Sequence, residues 1–135
     1  MIAVTRAVGT KAVGLGTMVT LAVAVPAALL AQTLDETGSV DDDSPWLIAL
    51  FAVVLGAMVL GGYLAAERRA DAPLINSALA AVGAYVVVQV IAAIRLLVDG
   101  DAISWAAMPF FALLASAAGM VGGLVADHRA RTPRR

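Results

Sequence analysis

The stretch WLIALFAVVLGAMVLGGYLAAERRADAP, residues 46–73, decides the fold. From Trp46 to Ala66 it carries no charge, and charge then returns at once as Glu67, Arg68, Arg69 and Asp71. A helix rises about 1.5 Å per residue, so such a run spans the roughly 30 Å of hydrocarbon in a bilayer. A strand of a membrane barrel would be shorter and would alternate apolar with polar residues, which this run does not. With no water to satisfy the backbone inside the bilayer, an uninterrupted apolar run of this length must be a helix.

Three further runs of the same kind lie at about 12–32, 74–98 and 102–126. The 135 residues are 61% hydrophobic and 14% charged, with mean hydropathy +0.92, which excludes an ordinary soluble domain. The expected fold is therefore all-α: one polytopic membrane domain of four transmembrane helices in an antiparallel bundle. Between the helices fall an acidic loop at 33–45, a short loop at 67–73, a second acidic loop at 99–101 and a basic tail at 127–135. The first run follows Arg6 and Lys11 and ends near ALLAQT, as a signal peptide would. It is longer than a signal core, and Leu29 suits poorly a cut after Ala31, so it is read as a retained span.

Arginine and lysine set the orientation. Arg6, Lys11, Arg68, Arg69, Arg129, Arg131, Arg134 and Arg135 all fall on one side, leaving only Arg95 outside the pattern. Asp35, Glu36, Asp41, Asp42, Asp43, Asp99 and Asp101 fall on the other. Both termini are expected in the cytoplasm of a bacterial plasma membrane, the arginine-rich, alanine-rich composition suggesting a GC-rich genome.

The end of the opening stretch is written twice. GGYLAAERRADAP at 61–73 returns as GGLVADHRARTP at 122–133, with Gly61-Gly62 on Gly122-Gly123, Ala65 on Ala126, Arg69 on Arg129 and Pro73 on Pro133. The helix entrances rhyme too: DDDSPW before the second helix and DGDAISW before the fourth, each with acids, a serine able to cap, and an interfacial tryptophan. One reading is a duplicated helical hairpin, its halves related by an axis along the membrane normal. The other is that any helix running inward needs tryptophan at its start and arginines at its end.

Small residues recur at a spacing of four: Ala115, Gly119 and Gly123; Ala57, Gly61 and Ala65; and Ala12, Gly16, Thr20, Ala24 and Ala28. Such stripes let helices approach closely, and dispersion over that contact drives association in lipid. Gly61, Gly62, Gly119, Gly122 and Gly123 are the helix-packing candidates, with Gly119 and Gly123 the clearest. Tyr85, Gln89 and Arg95 are the polar candidates inside the membrane. Gln89, with Tyr85 one turn before it, is expected to bond to another helix, and Arg95 to pair with Asp99 at the outer interface. Asn76 is expected to cap or pack, and Pro26 and Pro109 to bend their helices.

No cysteine is present, which removes disulfides, thiolate metal sites and a cysteine nucleophile. The acidic loop lacks the glycine turn and alternating ligands of a calcium loop. No phosphate loop, zinc-binding pair or triad appears, so no enzyme, metal, cofactor or nucleic-acid partner is expected. Beyond the lipid bilayer, the expected partner is another membrane protein or a second copy of the chain.

Four short spans, inward termini and a GG…RA helix exit resemble the small uncharacterised four-helix membrane proteins of Gram-positive bacteria. Gly61-Gly62 with Arg68-Arg69, and their later copy, carry that resemblance, which implies a multi-pass membrane protein and no assigned activity. In helix number and length the chain also looks like the small multidrug transporters. Those depend on a glutamate within the first helix, and here that helix holds no acid over 12–32. The leading expectation is a structural or accessory protein that contacts other membrane helices, the alternative a homo-oligomeric small channel or transporter subunit.

Overall fold

The computed structural model describes residues 8–38, 44–100 and 105–132. Among these residues there are four helices: α1 (Thr10–Glu36), α2 (Pro45–Glu67), α3 (Pro73–Asp99) and α4 (Ala107–Arg131). All four are long and apolar enough to cross a membrane. The expected boundaries of α2 and α3 differ by one residue at each end, while α1 extends past both expected ends.

Local chemistry explains where each helix starts and stops. Ser44 caps α2 by accepting the Trp46 N–H at 3.4 Å, and Pro45 fills the first helical position, where an N–H has no partner anyway. Pro73 opens α3 in the same way. Gly100 ends α3 with φ +79°, a left-handed turn natural to glycine, and its N–H donates back to Leu96. α4 departs from expectation: Trp105 and Ala106 form a turn and the helix begins at Ala107, not at 102. Pro109 falls in the first turn of α4, where an N–H has no helical partner, so it sits at the start of the helix and not in its interior. Ser104 lies outside the described residues, so the capping rhyme with Ser44 cannot be followed there. α1 continues through Pro26 as one helix.

α2 packs against α1, α3 and α4, and α3 against α1, α2 and α4, while α1 and α4 barely touch. An axis along the membrane normal relating the hairpins α1–α2 and α3–α4 would make α2–α3 equivalent to α4–α1. The first pair packs and the second does not, so the hairpins lie side by side, with parallel helices α2 and α4 adjacent.

The interior is inverted relative to that of a soluble bundle. Its largest fully buried side chains are Asn76, Thr20 and Ser77, and the remaining core is almost entirely alanine and glycine. Leucine, valine, isoleucine and phenylalanine point outward, Ile48, Leu97 and Leu113 among them. Only an apolar surrounding solvates such a surface, and the chain is a multi-pass membrane protein.

Candidate functional site

The repeated glycine pairs form the seam of the bundle. Consecutive residues on a helix point about 100° apart, so two adjacent glycines open two faces at one corner of a four-helix ring. Gly61 lies against Gly16 and Thr20 of α1, and Gly62 against the Gly119 backbone of α4. In the second copy Gly122 faces Val59 and Tyr63 of α2, and Gly123 faces Ser77 of α3. Gly119 turns to Ser77 and Ala81 of α3. At each of these five, a Cβ would fall within 3.0 Å of a neighbouring helix, so only hydrogen fits. At Gly61, Gly62, Gly119 and Gly122 that hydrogen points at a carbonyl of the neighbour, the geometry of weak Cα–H···O bonds. All five packing candidates are thus used within the chain. Gly16 and Thr20, on the four-residue stripe of α1, belong to the same seam although they were not among the packing candidates.

Buried and half-buried hydroxyls and amides tie the same seam. Thr17 Oγ1 donates to the Ala80 carbonyl at 3.0 Å, and Thr20 Oγ1 lies 2.9 Å from the Gly16 carbonyl and 3.3 Å from that of Ala57. Asn76 is fully buried: its Oδ1 accepts the Gly9 N–H at 2.7 Å and its Nδ2 donates to Ala72 at 2.7 Å. Asn76 therefore caps, as expected, but the helix it caps is α1, across the bundle.

Above the seam the helices part around a cavity of about 250 Å³, bounded by Ala24, Phe51, Met58, Tyr85, Gln89 and Phe111, among others. Tyr85 Oη is 2.9 Å from the Met108 carbonyl, which can only accept, so the tyrosine is the donor. Gln89 Nε2 must then donate to Tyr85 Oη, at 2.8 Å, which fixes the amide orientation and leaves Gln89 Oε1 with no donor among the described residues. The expectation that Gln89 bonds to another helix is corrected: its bond stays within α3, and Tyr85 makes the interhelical one. Arg95 also departs from expectation. It contacts Gln32 and lies 3.6 Å from Glu36 on α1, because α1 extends one turn further than expected and carries Glu36 within reach. Asp41, Asp42 and Asp43 lie outside the described residues.

At the opposite end, the two copies of the repeat line one open cleft of about 1140 Å³ that includes Tyr63, Glu67, Arg68, Asp127 and Arg129. Tyr63 donates to Glu67 at 2.5 Å, and the Arg129 guanidinium lies 5.7 Å from the Tyr63 ring centre with Nη1 3.4 Å from its hydroxyl. Asp127 pairs with Arg131 at 3.0 Å, and Arg69 grips Asp71 through two bonds of 2.9 and 2.8 Å. The hydrogen bond from Arg69 holds the Asp71 carboxyl below its ordinary range, and the carboxylate raises the guanidinium in turn. Among the described residues no three of His, Asp and Glu gather where they could hold a metal. No protein-family model, curated protein or solved structure matches this chain.

Proposed function

We propose that the protein is a structural or accessory component of a bacterial plasma membrane, with both termini cytoplasmic, that associates with other membrane helices. The observation carrying this reading is how the buried and half-buried polar groups are used. Thr17, Thr20, Asn76 and Ser77 are each bonded to backbone, as in a rigid scaffold and unlike a proton path. Because the glycine faces are consumed internally, the surface left for a partner is the outward apolar one, including Ile48, Phe110 and Leu113. A second reading, a homo-oligomeric small channel or transporter subunit, draws on the outer cavity and the open acceptor of Gln89.

Native mass spectrometry after extraction in mild detergent separates the two. A second polypeptide at fixed stoichiometry is the expected result. A symmetric homo-oligomer lacking any other chain would replace the accessory reading with the channel.

Orientation is tested through the absence of native cysteine, which gives a clean labelling background. Thr37→Cys, beyond α1, is expected to react with an impermeant maleimide added to intact cells, and Thr132→Cys, beyond α4, only after permeabilisation. The reverse pattern would overturn the proposed topology.

A further inference from the structure

A groove of about 280 Å³ runs down the outer surface between α2 and α4, walled by Gly56, Val59, Leu60, Gly122 and Val125, and ends at Tyr63 and Arg129. Two features make it a groove where packed helices would normally present side chains. Gly122 has none because the Val59 carbonyl lies against it, and Gly56 has none although nothing lies within 4 Å of where its Cβ would be. The close approach of α2 and α4 accounts for the first and not for the second. Gly56 in mid-helix costs stability relative to alanine, about 1 kcal/mol, without any contact inside the chain to offset it.

The polar end has a definite chemistry. Arg129 is the last side chain of the groove and sits near the end of α4, at the level where the apolar span gives way to charge. The Tyr63 ring and hydroxyl hold its guanidinium in place. The nearby carboxylates are engaged elsewhere: Asp127 pairs with Arg131, and Glu67 accepts the Tyr63 hydroxyl. No carboxylate within ion-pair distance of Arg129 is found among the described residues. A guanidinium so placed, with several N–H donors unspent, matches the planar two-point recognition of a phosphate.

We infer that the α2–α4 groove is a phospholipid site, one acyl chain lying along Gly56, Leu60 and Gly122 and the phosphodiester on Arg129. The apolar wall and the single cation lie in the order in which a leaflet presents tail and phosphate, which favours a lipid over a soluble anion. It favours a lipid over a partner helix as well, since a docking helix would bring its own backbone and need no cation at one end. The two repeats make the site jointly, Tyr63 coming from the first copy and Arg129 from the second.

The test is native mass spectrometry of the full chain in detergent supplemented in turn with phosphatidylglycerol, phosphatidylethanolamine and diacylglycerol. Both phosphodiester lipids are expected to remain bound as one adduct per chain, and diacylglycerol is not. Arg129→Gln is expected to reduce retention about tenfold, the loss of one charge-assisted contact. Gly56→Leu is expected to reduce it similarly by filling the groove, its Cβ meeting nothing within 4 Å. Circular dichroism matching wild type shows that each variant is folded. Retention unchanged in both folded variants would overturn the site. So would equal retention of diacylglycerol, or a groove found covered by a second copy of the chain, seen as a dimer that Gly56→Leu dissociates.

Discussion

Gly62→Ala and Gly122→Ala are each expected to destabilise the bundle by about 1–3 kcal/mol, while Gly14→Ala and Gly56→Ala leave it unchanged or stabilise it by up to about 1 kcal/mol. The substitution is chemically identical at all four positions, so intrinsic helix propensity favours alanine equally at each. What differs is the neighbour. A methyl at Gly62 would fall within 3.0 Å of the Gly119 backbone, and one at Gly122 within 3.0 Å of the backbone of Val59 and Tyr63. Backbone cannot swing aside as a side chain can, so the whole of α4 must move away from α2. In lipid that separation is costly, because no hydrophobic effect holds helices together and close packing is the main attraction left. At Gly14 and Gly56 the methyl meets nothing within 4 Å. Reversible unfolding by increasing detergent denaturant, followed by circular dichroism, measures each difference. Four equal responses would mean that the α2–α4 seam is not the packing surface described above.

The contrast among these glycines marks how far the sequence could be read. Helix number and approximate limits were legible because charge is excluded from four long runs, a one-dimensional signal. The importance of Gly61-Gly62 and Gly122-Gly123 was legible from their repetition, but not which neighbour each one meets. That depends on helix order around the ring, and α2 lying beside α4 has no local signature. The same limit explains Arg95. Asp99, one turn away, was the partner visible in sequence, yet Glu36 and Gln32 are brought to Arg95 by the packing of α1 on α3. The start of α4 was misplaced for a different reason. Hydropathy continues through Trp105 and Ala106, so nothing in the apolar run itself marks Ala107 as the first helical residue. Tyr63 and Arg129 were hidden as well, each being unremarkable until the two copies of the repeat are set side by side.

Asn76→Leu is expected to cost about 1–3 kcal/mol and to loosen the start of α1, whereas Ser77→Ala, at the next position, is expected to cost no more than about 0.5 kcal/mol. Both side chains are fully buried polar groups, so burial alone does not separate them. Their bonds do. Ser77 donates to the Leu74 carbonyl one turn back in its own helix, at 2.9 Å, and that carbonyl already has a helical partner. Asn76 satisfies the Gly9 N–H, at the first turn of α1, where no intrahelical acceptor exists. Leucine shares the branched outline of asparagine but offers no oxygen, leaving the Gly9 donor orphaned beside an apolar side chain. The effect should therefore appear sixty-seven residues away from the substitution, a separation fixed by the fold. Amide hydrogen exchange at Gly9 is expected to accelerate in Asn76→Leu and to stay slow in Ser77→Ala. Slow exchange at Gly9 in both variants would show that the start of α1 is held by something other than Asn76, and would remove the bond between α1 and α3 from the account of what closes this end of the bundle.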